Sequence, residues 1–226
     1  MPHVADGELI EAVQTGDIAA VTRLVAEHPE SAGERDAQGV SAVLHACYLR
    51  RQDVVDALLP RLGALDLLEA AAVGDLGQVQ RLLGEPGTEV DRRSGDGFTA
   101  LHYAAFFGRP EIAGALIAAG ADVGAVASNP MAVQPLHSAA ATSQRDVAER
   151  LLAAGADPNA RQHGGFVPLH SAAQNGDKAL AELLLRQGAD PARETDDGRS
   201  VAAVARTAGH EQLAARLERW EQPSSS

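Results

Sequence analysis

Apolar residues along this chain fall into short stripes with helical spacing, each punctuated by glycine. From residue 99 onward the stripes come in pairs. Leu101, Leu136 and Leu169 each begin an alanine-rich apolar run, and in two of the three a glycine, Gly108 or Gly176, ends it. A second stripe follows at i, i+4, i+5: Ile112, Leu116 and Ile117; Val147, Leu151 and Leu152; Leu180, Leu184 and Leu185. That spacing puts the branched side chains on one helical face, which must bury against a neighbour. Gly120, Gly155 and Gly188 stand where a left-handed residue closes the second helix. At the other end, Thr99 offers an N-cap hydroxyl, while Pro135 and Pro168 occupy a first turn that needs no N–H. The pattern predicts an all-α chain of helix pairs.

The pairs are copies. TALHYAAFFGRPEIAGALIAAGAD from Thr99 recurs as QPLHSAAATSQRDVAERLLAAGAD from Gln134 and VPLHSAAQNGDKALAELLLRQGAD from Val167, starts 35 and 33 residues apart. This opening and period resemble the ankyrin-repeat family, and the layout is similar to that of uncharacterised bacterial ankyrin-repeat proteins. The resemblance implies a solenoid of about seven helix pairs joined by short β-hairpin fingers. It also implies partner binding on a concave face lined by finger tips and by the exposed ends of the first helices, with no catalysis.

Asp197 to Trp220 forms a seventh unit, with Ser200 as N-cap, Gly209 at the turn and Leu213 and Leu217 on the stripe; polar Glu218 marks it as a cap. The tail 221–226 is expected to be disordered. DAQGVSAVLHACYLRRQDVVDALL from Asp36 keeps the register, with Ser41 for Thr and Arg50 for the turn glycine. ELIEAVQTGDIAAVTRLV from Glu8 and DLLEAAAVGDLGQVQRLL from Asp66 lack the opening. Between Leu62 and Asp66 no room remains for a finger, so the hairpin row should be interrupted there. One solenoid over 1–220 is expected, in sub-blocks 6–62 and 66–220.

Composition narrows the partner. A net charge of −12 and a pI near 5.0 disfavour nucleic acid and anionic membrane. Lys178 is the only lysine, which reads as codon bias of a GC-rich bacterial genome. A single cysteine, Cys47, excludes an internal disulfide and fits as a buried space-filler in a reducing compartment. No apolar stretch reaches the ~18 residues of a membrane span, and the N-terminus has no leader pattern, so a cytoplasmic monomer is expected.

His102, His137 and His170 form a column, but neighbouring units must stand roughly 8–10 Å apart, too far for shared Zn–N bonds of about 2 Å. They read as structural, bonded to finger backbone, and no metal or cofactor is expected. His137-Ser138 and His170-Ser171 are adjacent on a helix and do not face each other. Gly164 and Gly165 read as finger-turn residues, since no GxGxxG or GxxxxGK[ST] occurs. The aromatics say more. By the resemblance, Phe98 and Phe166 lie on fingers, Phe106 and Phe107 at a first-helix end, with Tyr48 and Leu49 in the matching slots of the second unit and Met131 and Val133 on the fifth unit's finger. All four phenylalanines thus fall on contact positions. The alternative is that Phe106 packs into the seam between units. The stretch from Asp122 to Pro135 is two residues longer than that from Asp157 to Pro168, which should enlarge the finger around SNPMAV. Two other readings are a regulatory subunit that occludes an enzyme's active site, and an enzyme or small-ligand binder using His163, His170 and Asn175.

Overall fold

The computed structural model describes residues 7–220; residues 1–6 and the tail 221–226 lie outside the described residues. Fourteen helices, among the described residues, form seven pairs: α1 (Glu8–Thr15) with α2 (Ile18–Glu27), α3 (Ala42–Tyr48) with α4 (Gln52–Leu58), α5 (Leu67–Val73) with α6 (Leu76–Leu83), α7 (Ala100–Phe106) with α8 (Pro110–Ala118), α9 (Pro135–Ala141) with α10 (Arg145–Ala153), α11 (Pro168–Gln174) with α12 (Lys178–Arg186), and α13 (Val201–Thr207) with α14 (Glu211–Glu218). The backbone divides into two compact units, residues 1–100 and 101–226.

In the first unit α1 packs on α2 and α3, α2 on α4, and α3 on α4 and α5. Leu9, Val13, Val21, Val43, Val54 and Leu58 are fully buried there. In the second unit α11 packs on α9, α12 and α13, and α10 packs on α8, α9 and α12. Leu136, Leu151, Leu169, Leu180 and Leu184 have no exposed surface. Small side chains make the close packing of first helices possible: Ala139, Ala140, Ala172 and Ala173 are wholly buried. The predicted stripes are inside, except that Ile117 is half-buried. Cys47 is half-buried too, a correction to its reading as core filler, because it lies on the last turn of α3.

The link between the two helices of each pair turns through one left-handed residue. Gly16, Gly74, Gly108, Gly176 and Gly209 take it with φ of 74°, 99°, 66°, 67° and 86°; Arg50 and Ser143 hold the same place at 54° and 58°. Glycine there has a second reason besides φ. A Cβ at Gly16, Gly108 or Gly176 would collide with Arg51, Gln144 or His210, in each case the residue just after the next pair's own turn. After the two turns that carry a side chain, Arg50 and Ser143, that following place holds Asp75 and Asp177, whose carboxylates fold back to cap α6 at Gln78 N–H and α12 at Leu180 N–H, at 2.9 and 3.0 Å.

As expected, no finger stands before α5: a single 3₁₀ turn, Leu59–Arg61, leads through a bend to Asp66. The hairpin row nevertheless closes over the gap. Gly95, in the finger before α7, lies so near Gln38, in the finger before α3, that a Cβ there would overlap the Gln38 carbonyl. The finger-less pair is bridged from both sides, since Arg35 binds Glu69 at 2.9 Å and Asp66 at 3.3 Å, and Arg92 binds Asp66 at 2.6 Å.

Candidate partner-binding surface

Each finger is a short loop closed by one backbone bond. Four have the same size, with N–H of residue i donating to the carbonyl of i+4: Asp36 to Val40, Ser94 to Phe98, Gln162 to Phe166 and Thr195 to Arg199, at 2.9–3.1 Å. The fifth, Ala127 to Val133 at 2.8 Å, encloses two more residues, which places the extra sequence length in this loop. Its tip is firmly held. Asn129 accepts from Met131 N–H through its side chain and from Ala132 N–H through its carbonyl, and the next finger's His163 N–H donates to the Met131 carbonyl at 3.0 Å. Ala132 sits at φ 49°, a strained backbone for a residue with a Cβ.

Met131 is 56% exposed at this tip, and Leu49, at the end of α3, is 45% exposed. The other candidates are less open. Val133 is buried, because it forms the closing rung of its finger and its carbonyl also accepts from His102 Nε2 at 3.0 Å; its expected contact role is corrected accordingly. Phe98, Phe106, Phe107 and Phe166 are all half-buried rather than solvent-facing. Phe107 stacks on Tyr103 and meets Phe106 edge-on, with centroids 6.3 and 5.1 Å apart. Phe166 stands edge-on to His170 at 5.4 Å, and the Arg199 guanidinium lies over its ring at 5.3 Å. Tyr48 is half-buried, its hydroxyl donating to Asp96 at 2.6 Å.

Two of the three histidines bond the backbone of the next finger: His102 Nε2 donates to the Val133 carbonyl, and His137 does the same one unit on. Gln134 N–H donates to His137 Nδ1 at 3.2 Å, so the ring proton is on Nε2, which donates to the Ala160 carbonyl of the next finger at 3.0 Å. Burial pushes the His137 pKa down to about 4, opposed by the Ala160 and Phe166 carbonyls. His170 takes the same bond from Val167 N–H, and burial lowers its pKa as well. Its Nε2 is buried without a hydrogen bond. Among the described residues no group of three or more His, Cys, Asp or Glu could hold a metal ion.

The trio His163, His170 and Asn175 does not converge. His170 is wholly buried, and the Asn175 amide donates to the Ala140 and Ala141 carbonyls at the end of α9. Thr142 likewise donates to the Phe106 carbonyl at 2.9 Å. These joints were missed by sequence reading, although Asn175 and Thr142 share one place, just before the turn residue. Asn159 was missed as well: its amide donates to Gly188 O and its carbonyl accepts Asp190 N–H, both at 2.8 Å. Glu69 stands where other units carry the motif histidine, reached by counting three residues from the N-cap. It accepts from Asp66 N–H at 3.0 Å, as the histidines accept from their own N-cap amides.

Comparison with known proteins agrees with this geometry. Residues 67–162 match the family described as ankyrin repeats (3 copies), and residues 164–196 match the ankyrin repeat family. Over 60 residues the chain is 50% identical to ankyrin repeat domain-containing protein 49 of Bos taurus and equally to that of Homo sapiens, covering 26% of this chain and 25% of each relative. The chain thus spans about a quarter of the length of the curated relatives it matches. Both are mammalian, and the expected bacterial likeness has no support among them. No helix among the described residues is long and apolar enough to cross a membrane. The two family matches together span more than half of the 226 residues and coincide with the helix pairs and fingers seen in the structure: the chain belongs to the ankyrin-repeat family.

Proposed function

We propose that the fingers and first-helix ends form a binding face for a protein partner, without catalysis by this chain. Ankyrin repeats generally mediate protein–protein interaction. The observation that carries the reading is the fifth unit's finger: lengthened, tied at both backbone atoms of Met131, and presenting that side chain to solvent. A rigid tip with an exposed thioether loses little entropy on contact, and its removal from water is favourable. In the first unit Leu49 is an exposed anchor with partly exposed edges of Tyr48 and Phe98, and in the second Phe106, Phe107 and Phe166 offer partly exposed edges besides Met131. A regulatory subunit that blocks an enzyme's active site is one form of the same reading and would use the same face. Action as a monomer in the cytoplasm belongs to the same proposal, and its separation from nucleic acid and anionic membrane accords with the −12 charge.

The test is site-specific photo-crosslinking. A crosslinking residue at Met131 should capture one defined protein in the cell, and one at Ala153 on α10 should not. Met131→Asp, introduced beside a crosslinker at Phe166, should abolish capture with the melting temperature unchanged. Equal capture from positions 131 and 153 would overturn the assignment.

A further inference from the structure

We propose that the outer groove between α12 and α14 binds an acidic segment of a protein partner, through its carboxylates. This surface is formed by second helices and does not depend on the finger-face reading. The groove has a volume of about 440 Å³ and is lined by Lys178, Gln212, Ala215, Arg216 and Arg219, with no carboxylate among them. The corresponding groove between α8 and α10, about 350 Å³, is lined by Pro110, Glu111, Asp146, Glu149, Arg150 and Ala153, three acids to one cation. Helix packing is common to both, so the reversed sign belongs to the side chains, in a chain whose net charge is −12.

The cations are held in place. Lys178 Nζ donates to Gln212 Oε1 and Arg219 Nε to the Ala215 carbonyl, both at 2.9 Å. Arg216 pairs with Glu182 at 3.0 Å, and Glu182 is shared with Arg186 at 3.7 Å. The remaining acids of these helices are engaged elsewhere: Asp177 caps α12, and Glu211 and Glu218 both pair with Arg206. Three cations therefore line the groove, and the one carboxylate beside them, Glu182, is shared between Arg216 and Arg186. A guanidinium fork and an ammonium, already oriented, suit carboxylates spaced along a peptide. Nucleic acid fits less well: no aromatic side chain lines the groove for base stacking, and the overall negative charge repels a phosphodiester backbone before contact.

Fluorescence anisotropy with the full chain tests this, using a labelled Glu-rich peptide, a Lys-rich peptide of equal length, a short single-stranded DNA and inorganic phosphate as competitor. The Glu-rich peptide should bind saturably, weaken as salt is raised, and shift emission of Trp220, the only tryptophan, next to Arg219. Lys178→Ala with Arg219→Ala, both exposed, should weaken it about tenfold at unchanged melting temperature. Glu149→Ala in the other groove should leave it unchanged. Lys178→Glu with Arg219→Glu, read the same way, should move binding to the Lys-rich peptide. The proposal falls if both variants keep wild-type affinity, if DNA binds more tightly than the Glu-rich peptide, or if phosphate displaces the peptide at matched charge concentration, which marks a simple anion site.

Discussion

In residues 101–226 the polar rung beside α7, α9 and α11 is histidine, while α13 has Ala203 there: in His137 and His170 Nδ1 takes the N-cap amide, and in His102 and His137 Nε2 gives its proton to the next finger's carbonyl. In residues 1–100 the same position holds Ile10, Leu44 and Glu69. Leu44 makes no rung, and Glu69 keeps the N-cap bond but turns its other oxygen to Arg35 of the preceding finger. One unit is joined by neutral donors pointing forward, the other by an ion pair pointing backward. Formal charge follows: seventeen Asp and Glu against eight Arg up to residue 100, fourteen against eleven basic residues beyond it. The lesson is that a helix pair without the T-P-L-H opening still forms, and that in α5 a glutamate takes over the bond to the N-cap amide.

The sharpest way to break this difference is Gly95→Val. The first unit depends on two fingers touching over the finger-less pair, and a branched side chain at 95 would force them apart. We expect a loss of about 3 kcal/mol or more, read by hydrogen exchange as lost protection of α3 and α5 while α11 to α14 keep theirs. Uniform loss through both units would show that they unfold as one.

Acid should separate them next. Burial favours the neutral His137 ring, so the folded chain takes up that proton near pH 4, and the unfolded chain near 6.5. This contribution is complete above pH 6.5 and is lost as pH falls toward 4, up to about 3 kcal/mol. His170 adds loss in the same direction. In the first unit burial raises the Asp36 pKa, but the Val40 and Gln38 amides and His45 outweigh it and hold it below 3.8, so its contribution lasts until that pH is passed. Hydrogen exchange at pH 7 and pH 5 should show α9 to α12 weakening before α3; the reverse order would refute the histidine account.

The smallest expected effect sharpens the likeness between units. Arg50→Gly and Ser143→Gly relieve a left-handed backbone in one unit each, and each should stabilise by about 0.5–1 kcal/mol in denaturant unfolding. A loss at Ser143 alone would mean that its hydroxyl, 3.4 Å from the Asn175 amide, matters more than its φ.

Much of this was legible in the chain. Stripe spacing and turn glycines placed the helix pairs, the short link before Asp66 announced the missing finger, and two extra residues announced the larger one. What spacing could not give was contact across the chain. Nothing local to Gly95 says that Gln38 lies against it, and nothing local to Phe166 says that Arg199 stands over its ring. Val133 was misplaced for the same reason, since a finger position faces in or out according to how the loop closes.

The seating of one turn residue beneath the next limits how such an array can be edited. Removing the sixth pair would set the Ser143 side chain where Gly176 now leaves room for His210, a collision; removing the fifth would set Gly108 beneath Asp177, which folds away toward α12 and leaves a gap. Units that look interchangeable by their motifs are therefore ordered, and a deletion that respects the period can still fail at its new junction.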